Sequence, residues 1–283
     1  MIPASFEYEV AGSVDEAVEL LGRRGEEAKL LAGGHSLLPL MRLRLARPSV
    51  LVDIGRIADL SYVREERDRI AVGALTRHHD LQRSPVLQEG CPILAHTAGV
   101  VGDPQVRHRG TIGGSVAHGD PASDLPTVLL ALDAELVARG PDGERTIPAG
   151  EFFRGLFETA LGPHEVLTEV RVPRLGPESG WSYLKFNRRA LDWAIVGVAA
   201  VVERSNGPIG RAAVGLTNMG QTPLRARAVE AALTGADAAG VGTAAEAAAE
   251  GTNPPSDTFA SAEYREHLAR VLVRRAVESA LGG

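Results

Sequence analysis

Lys29-Leu30-Leu31-Ala32-Gly33-Gly34-His35-Ser36-Leu37 is the stretch on which the fold turns. A short apolar run, suited to a buried strand, stops at two glycines and passes into small polar residues. Glycine accepts positive φ and allows the backbone to approach another group closely. Consecutive N–H groups in such a turn make a concavity suited to an anion. A second stretch, Thr111-Ile112-Gly113-Gly114-Ser115, follows the same pattern. Two such turns beside hydroxyl groups suit the two phosphates of one dinucleotide.

Around the first turn the chain reads as an α/β unit. Ser13 followed by Asp15 and Glu16 is an N-cap with an acidic first turn, and the helix is expected to close at Gly22. Ala28–Leu31 and 50–54 read as strands. Ile57–Leu60 and Ile70–Ala74 read as a hairpin across a charged turn. Helices are expected from 92 to 101 and from Asp124 to Leu132, with an extended stretch through Arg107 and Arg109 before the second turn. Strands follow at 134–139, 144–147 and 165–172. Residues 174–180, with Pro177, Gly176 and Gly180, mark the boundary between two domains. Beyond it, three strands (181–188, 193–204, 209–217) precede helices at 224–233, 237–250 and 261–281, an α+β arrangement.

Composition narrows the function. The formal charge of −6 gives no attraction to nucleic acid or to an anionic membrane. No apolar run is long enough to span a bilayer and no N-terminal leader pattern is present, so the expected location is cytoplasmic. Cys91 is the single cysteine. A Cys-ligated iron–sulfur cluster needs four thiolates, so such a cluster must sit on another chain.

The glycine turns are neither a P-loop nor the G-x-G-x-x-G fingerprint, since lysine and the required glycine spacing are missing. Phosphate would be held by amide and hydroxyl donors, which suits a resident cofactor. None of the eight histidines has a zinc-binding spacing, and no metal site is expected. No G-x-S-x-G nucleophile elbow exists. Asp124, at a helix start, reads either as an N-cap or as a carboxylate for a ribose or ribityl hydroxyl. Lys185 and Trp193 together suit a flavin, as a cation for the pyrimidine edge and an aromatic cover.

These pieces carry a resemblance. Residues 32–36, 111–115, Asp120-Pro121-Ala122-Ser123-Asp124-Leu125-Pro126, 165–173 and 185–194 resemble, in order and over nearly the whole chain, the FAD-binding medium subunits of the molybdenum hydroxylases, the aerobic carbon monoxide dehydrogenase branch above all. The resemblance implies an α+β, p-cresol-methylhydroxylase-type FAD-binding domain over 1–175, in two subdomains of about 1–55 and 56–175. A flavoprotein C-terminal domain, a three-stranded sheet plus helices, is implied over 177–283.

It further implies that Lys29, Leu30, Leu31, Ala32, Gly33, Gly34, His35 and Ser36, with Thr111, Ile112, Gly113, Gly114 and Ser115, hold the pyrophosphate of an extended FAD. Asp124 is then expected at the adenosine ribose, and Leu167 and Lys185 at the flavin. Trp193, where the family usually has tyrosine, covers the ring, and Val101 and Asp192 complete the cofactor contacts. Ser115 stands where asparagine is frequent. The implied partners are a [2Fe–2S] small subunit and a molybdenum-cofactor large subunit, in a dimerised heterotrimer. Electrons would arrive from the clusters and leave to an external acceptor. A free-standing FAD-dependent oxidoreductase acting on its own small substrate is the other reading, and a chain with a decayed flavin site the third.

Overall fold

A computed structural model describes residues 2–205 and 207–282. The first unit is a three-stranded parallel sheet. Its strands β1 (Glu7–Val10), β2 (Ala28–Leu31) and β3 (Val50–Asp53) lie in the order β1-β3-β2. Helix α1 (Val14–Arg24) crosses between β1 and β2 and buries Ala17, Leu20 and Leu21. Ser13 caps it by accepting from the Glu16 N–H at 3.1 Å. The helix runs past Gly22 and ends at Gly25, whose φ of 60° is the conformation that stops it. Gly22 has a helical φ and so does not break the turn. Helix α2 (Leu37–Arg42) follows the first glycine turn directly.

The second unit is a five-stranded antiparallel sheet in the order β4 (Val63–Glu65), β5 (Arg69–Gly73), β10 (Val166–Pro173), β6 (Glu135–Gly140), β7 (Gly143–Pro148). Strands β4 (Val63–Glu65) and β5 (Arg69–Gly73) make the expected hairpin, but its first strand is β4 and not Ile57–Leu60. Residues 58–60 instead form a 3-10 turn that buries Leu60 in the first unit's core. Between β5 and β6 (Glu135–Gly140) lie six helices: α3 (His78–Arg83), α4 (Pro85–Gly90), α5 (Pro92–Gly99), α6 (Pro104–Arg109), α7 (Ile112–His118) and α8 (Asp124–Ala131). Strand β7 (Gly143–Pro148) returns beside β6. It is followed by α9 (Ala149–Phe152), a small β8 (Phe153–Gly155) and β9 (Glu158–Thr159) pair, and β10 (Val166–Pro173).

The expected extended stretch through Arg107 and Arg109 is helix α6. Asp103 caps it by accepting from the Val106 N–H at 2.9 Å, and Pro104 takes the first helical position, where its missing N–H costs nothing.

The third unit is an antiparallel meander of β11 (Ser179–Phe186), β12 (Val196–Arg204), β13 (Ile209–Thr217) and a two-residue β14 (Leu224–Arg225). The sheet thus has a short fourth strand, and the helix expected from Leu224 begins only at α10 (Arg227–Leu233). The alanine-rich segment is divided, with α11 (Val241–Ala245) flanked by 3-10 turns. Helix α12 (Ala262–Ala280) packs along the sheet.

Strand β12 explains how the third unit joins the second. Val196, Val198, Ala200 and Val202 face α12 and its neighbours, whereas Ala199 and Val201 belong to the central core with α5 and α8 residues. Alternation along a strand sends successive side chains to opposite faces. Both faces are covered, which is why β12 is a nearly unbroken apolar run. Fully burying a valine or leucine contributes about 1.5–3 kcal/mol. The shared sheet therefore binds the two units through a common core.

Candidate functional site

The two glycine stretches meet. A Cβ built on Gly33 would run into the Arg109 carbonyl oxygen and lie 2.9 Å from the Gly110 Cα. The segment around Arg109 and Thr111 is stitched to 74–78: Arg77 bridges Thr111, the His78 N–H donates to Gly110 O at 3.0 Å, and Ile112 N–H donates to Thr76 O at 3.1 Å. The first turn thereby sits against the start of α7 without any side chain between them.

Their N–H groups, however, are not equivalent. Among the described residues, those of Gly33, Gly34, His35, Ser36 and Leu37 make no hydrogen bond within the chain. Gly34, at φ 79°, turns the backbone so that Leu38 N–H bonds back to Gly34 O. This row of free donors is the concavity expected from the sequence.

At the second stretch the N–H groups from Ile112 to Ser115 are taken. Ile112 N–H goes to Thr76 O, Gly113 N–H to Ala74 O at 2.9 Å, Gly114 N–H to Thr111 Oγ1 at 3.1 Å and Ser115 N–H to Thr111 O at 3.0 Å. Thr111–Ser115 is a capped helix start and not a second nest. Gly113 is there because a Cβ would stand 2.5 Å from the Ala74 Cβ. The second stretch contributes a close-packed wall with hydroxyls, facing the first turn's open donors.

The other candidates form a buried group under α8. Lys185 Nζ donates to Asp124 Oδ2 at 2.9 Å and to Val100 O at 3.3 Å, and the Tyr183 hydroxyl donates to Asp124 Oδ1 at 2.6 Å. Asp124 and Lys185 side chains are 4% and 7% exposed. Burial pushes the Asp124 carboxyl up, while Lys185 and Tyr183 pull it back down. Burial also holds the Tyr183 phenol well above its usual range, so it stays a donor. A third Lys185 N–H remains for another acceptor. Asp124 is the first residue of α8, but its carboxylate is directed at β11 rather than capping the helix.

Asp124 and Lys185, expected at separate parts of the cofactor, are thus brought together in one buried ion pair.

The Leu167 side chain packs in the central core. Trp193 lies in the β11–β12 connection and is 55% exposed, presenting its ring outward. Asp192, beside it, has Oδ2 buried, 3.5 Å from Arg188 Nε. Val101 is half-buried next to Val100 and its carbonyl accepts from Arg107 at 3.1 Å. Lys29 and His35 are exposed, and Leu30 and Leu31 are half-buried on β2.

Two residues missed in the sequence stand out. Tyr183 precedes Lys185 by two positions on a strand, hence on the same face, a signal the spacing carried. His78 is 3% exposed, and burial first, then His35 and Arg107, push it down to about 4. Nothing in its sequence neighbourhood marked it. Cys91 is buried and its thiol is raised to about 12, so it is no nucleophile. Among the described residues no cluster of His, Cys, Asp and Glu is arranged to hold a metal ion.

Comparison with known proteins decides the family. Residues 4–175 match the family model described as the FAD binding domain in molybdopterin dehydrogenase, and 181–280 match the CO dehydrogenase flavoprotein C-terminal domain. The chain is an FAD-binding medium subunit of the molybdenum hydroxylase family. It is 44% identical over 282 residues to the carbon monoxide dehydrogenase medium chain of Hydrogenophaga pseudoflava, covering 99% of this chain and 98% of that one. It is 42% identical over 284 residues to the 6-hydroxypseudooxynicotine dehydrogenase complex subunit alpha of Paenarthrobacter nicotinovorans, covering 99% and 96%.

The solved carbon monoxide dehydrogenase of Hydrogenophaga pseudoflava that lacks the Mo-pyranopterin moiety superposes with a TM-score of 0.98 at 46% identity, over 100% of this chain and 99% of that one. The family's cofactor is FAD, and the residues present fit it: a row of unbonded N–H groups for phosphate, a buried cation with a spare donor, and an outward-facing indole. Among the described residues no helix is long and apolar enough to cross a membrane.

Proposed function

We propose that this subunit carries electrons between the [2Fe–2S] clusters of a small partner subunit and an external acceptor, with substrate oxidised at a molybdenum cofactor on a large partner subunit. Bound FAD supplies the redox chemistry through its ring. The observation that carries the reading is the row of free N–H groups at 33–37 facing the wall at 111–115. It is a phosphate cradle without lysine, suited to a cofactor that stays.

The chain's residues divide the binding. Lys29 to Ser36 receive the pyrophosphate on the Gly33–Ser36 amides, and Thr111 to Ser115 close the other side. Asp124 accepts from hydroxyls on the ribityl side, and Lys185 directs its third N–H to the pyrimidine edge, where negative charge gathers on reduction. Trp193 covers the ring, and Val101, Asp192 and the Leu167 main chain complete the enclosure. Residues 1–175, in subdomains of about 1–55 and 56–175, form the FAD-binding part, and 177–283 the part that brings Lys185 and Trp193 to it.

The lone, protonated Cys91 supports this division of labour, because the clusters then need another chain. The relatives named above differ in what they oxidise, carbon monoxide in one and 6-hydroxypseudooxynicotine in the other, while sharing this subunit. Substrate choice is accordingly assigned to the large partner.

The test is to isolate the chain from its native host and record the flavin spectrum and the accompanying proteins. FAD in about one-to-one ratio with an iron–sulfur and a molybdenum protein is expected. A colourless chain that takes up no FAD, or a flavin chain that oxidises a small substrate without partners, would overturn the proposal.

A further inference from the structure

Trp193 stands in the nine-residue connection 187–195 with more than half its surface exposed, and among the described residues no aromatic ring stacks on it. A side chain with so little packing of its own is placed by its main chain. That main chain is held from two distant elements. The Asn218 side-chain amide donates to Ala194 O at 2.8 Å and also approaches Ile195 O at 3.4 Å. Arg265 on α12, 1% exposed, donates to the same Ile195 O through Nη1 and is itself fixed by Asp257 Oδ2 at 2.7 Å.

Asn218 also reaches the other half of the site. Its N–H donates to Pro121 O at 2.8 Å, in the segment leading into Asp124. Its φ is 61°, a left-handed conformation that glycine adopts freely and asparagine better than most other residues. Glycine would meet the backbone requirement alone. Asparagine adds the amide that binds the Trp193 segment.

We infer that Asn218, supported by Arg265, is the positioning residue for Trp193. It fixes the indole relative to the Asp124 segment and thereby sets how rigidly the ring lies against the flavin. The last clause rests on the reading of Trp193 as flavin cover; the positioning itself does not.

Asn218→Gly separates the two roles, since it keeps the left-handed backbone and removes the amide. Asn218→Asp is the second variant, retaining tolerance of positive φ but putting an acceptor where a donor stood. The chain has two tryptophans, so indole ¹⁵N relaxation in the full-length FAD-loaded protein gives two signals, assigned with Trp181→Phe. The Trp193 order parameter is expected to fall from about 0.85 towards 0.6 or below in both variants, with Trp181 unchanged. Bound-flavin fluorescence is read in parallel and is expected to rise towards the level of Trp193→Ala.

Trp193 staying as rigid as in the parent chain in either folded variant overturns the inference. Loosening of Trp193 with no change in flavin fluorescence, in these variants and in Trp193→Ala alike, leaves the positioning role standing and overturns the flavin-cover reading instead.

Discussion

Gly33 and Gly110 lie back to back, with 2.9 Å between the Gly110 Cα and the place a Gly33 Cβ would occupy. This contact brings the open turn of the parallel sheet unit against the start of α7. The Gly33 requirement is steric, because the nearest obstacles are backbone atoms that cannot rotate away.

Gly33→Ala is expected to lower stability by about 1–3 kcal/mol, as overpacking of a tight contact does, and to lower FAD retention. Gly33→Asp adds a like charge beside the phosphates and should abolish retention. Gly22→Ala is the control: nothing lies within 4 Å of its Cβ position, and helix interiors favour alanine over glycine by roughly 0.5–1 kcal/mol. Thermal unfolding and the flavin-to-protein absorbance ratio of the three variants check this. Equal flavin retention in Gly33→Asp and the parent chain would place the pyrophosphate elsewhere.

Lys185→Met leaves the Asp124 carboxylate buried beside Tyr183 without its cation. Breaking one side of a buried ion pair costs about 3–5 kcal/mol, whereas replacing both partners costs much less. Denaturant unfolding of Lys185→Met, Asp124→Asn and the double variant is therefore expected to be non-additive, with the double variant more stable than Lys185→Met. Additive losses would show that the two side chains act independently.

His78 sets a pH dependence. Its folded-state value of about 4 lies below the ordinary 6.5, so the unfolded chain binds the proton that the folded chain refuses. Stability then falls as pH drops below about 6.5 and the loss is complete below about 4. The full effect is on the order of 3 kcal/mol. His78→Gln, which does not titrate, should show a shallower decline than the parent chain from pH 7 to 4 in equilibrium unfolding. Parallel declines would contradict a buried neutral His78.

Much of this was legible in the sequence because the signals were local. The Ser13 cap, the run from Lys29 into Gly33-Gly34 and the alternation in 165–172 each depend on neighbours within one element, and each element is present, with α1 running on past Gly22 to Gly25. Helix α6 escaped because its cap, Asp103, and Pro104 lie ahead of a polar stretch with no apolar periodicity. At Thr111–Ser115 the N–H groups of Ile112 and Gly113 are taken by Thr76 and Ala74, tens of residues away, and those of Gly114 and Ser115 by Thr111, so the stretch has fewer open donors than its glycines suggest. The Asp124–Lys185 pair, 61 positions apart, could not be read as one group from local spacing. Asn218 carries no motif at all, since its partners Pro121 and Ala194 are joined to it only by the folded sheet.

The central claim is that this chain passes electrons and does not choose the substrate. Anaerobic rapid-mixing of the substrate oxidised by the native complex, followed at the flavin absorbance, tests it on the isolated FAD-loaded chain and on the chain reassembled with its two partners. The account predicts bleaching of the flavin in the reassembled complex and none in the chain alone. Bleaching of the isolated chain by substrate, at the rate seen in the complex, would contradict it.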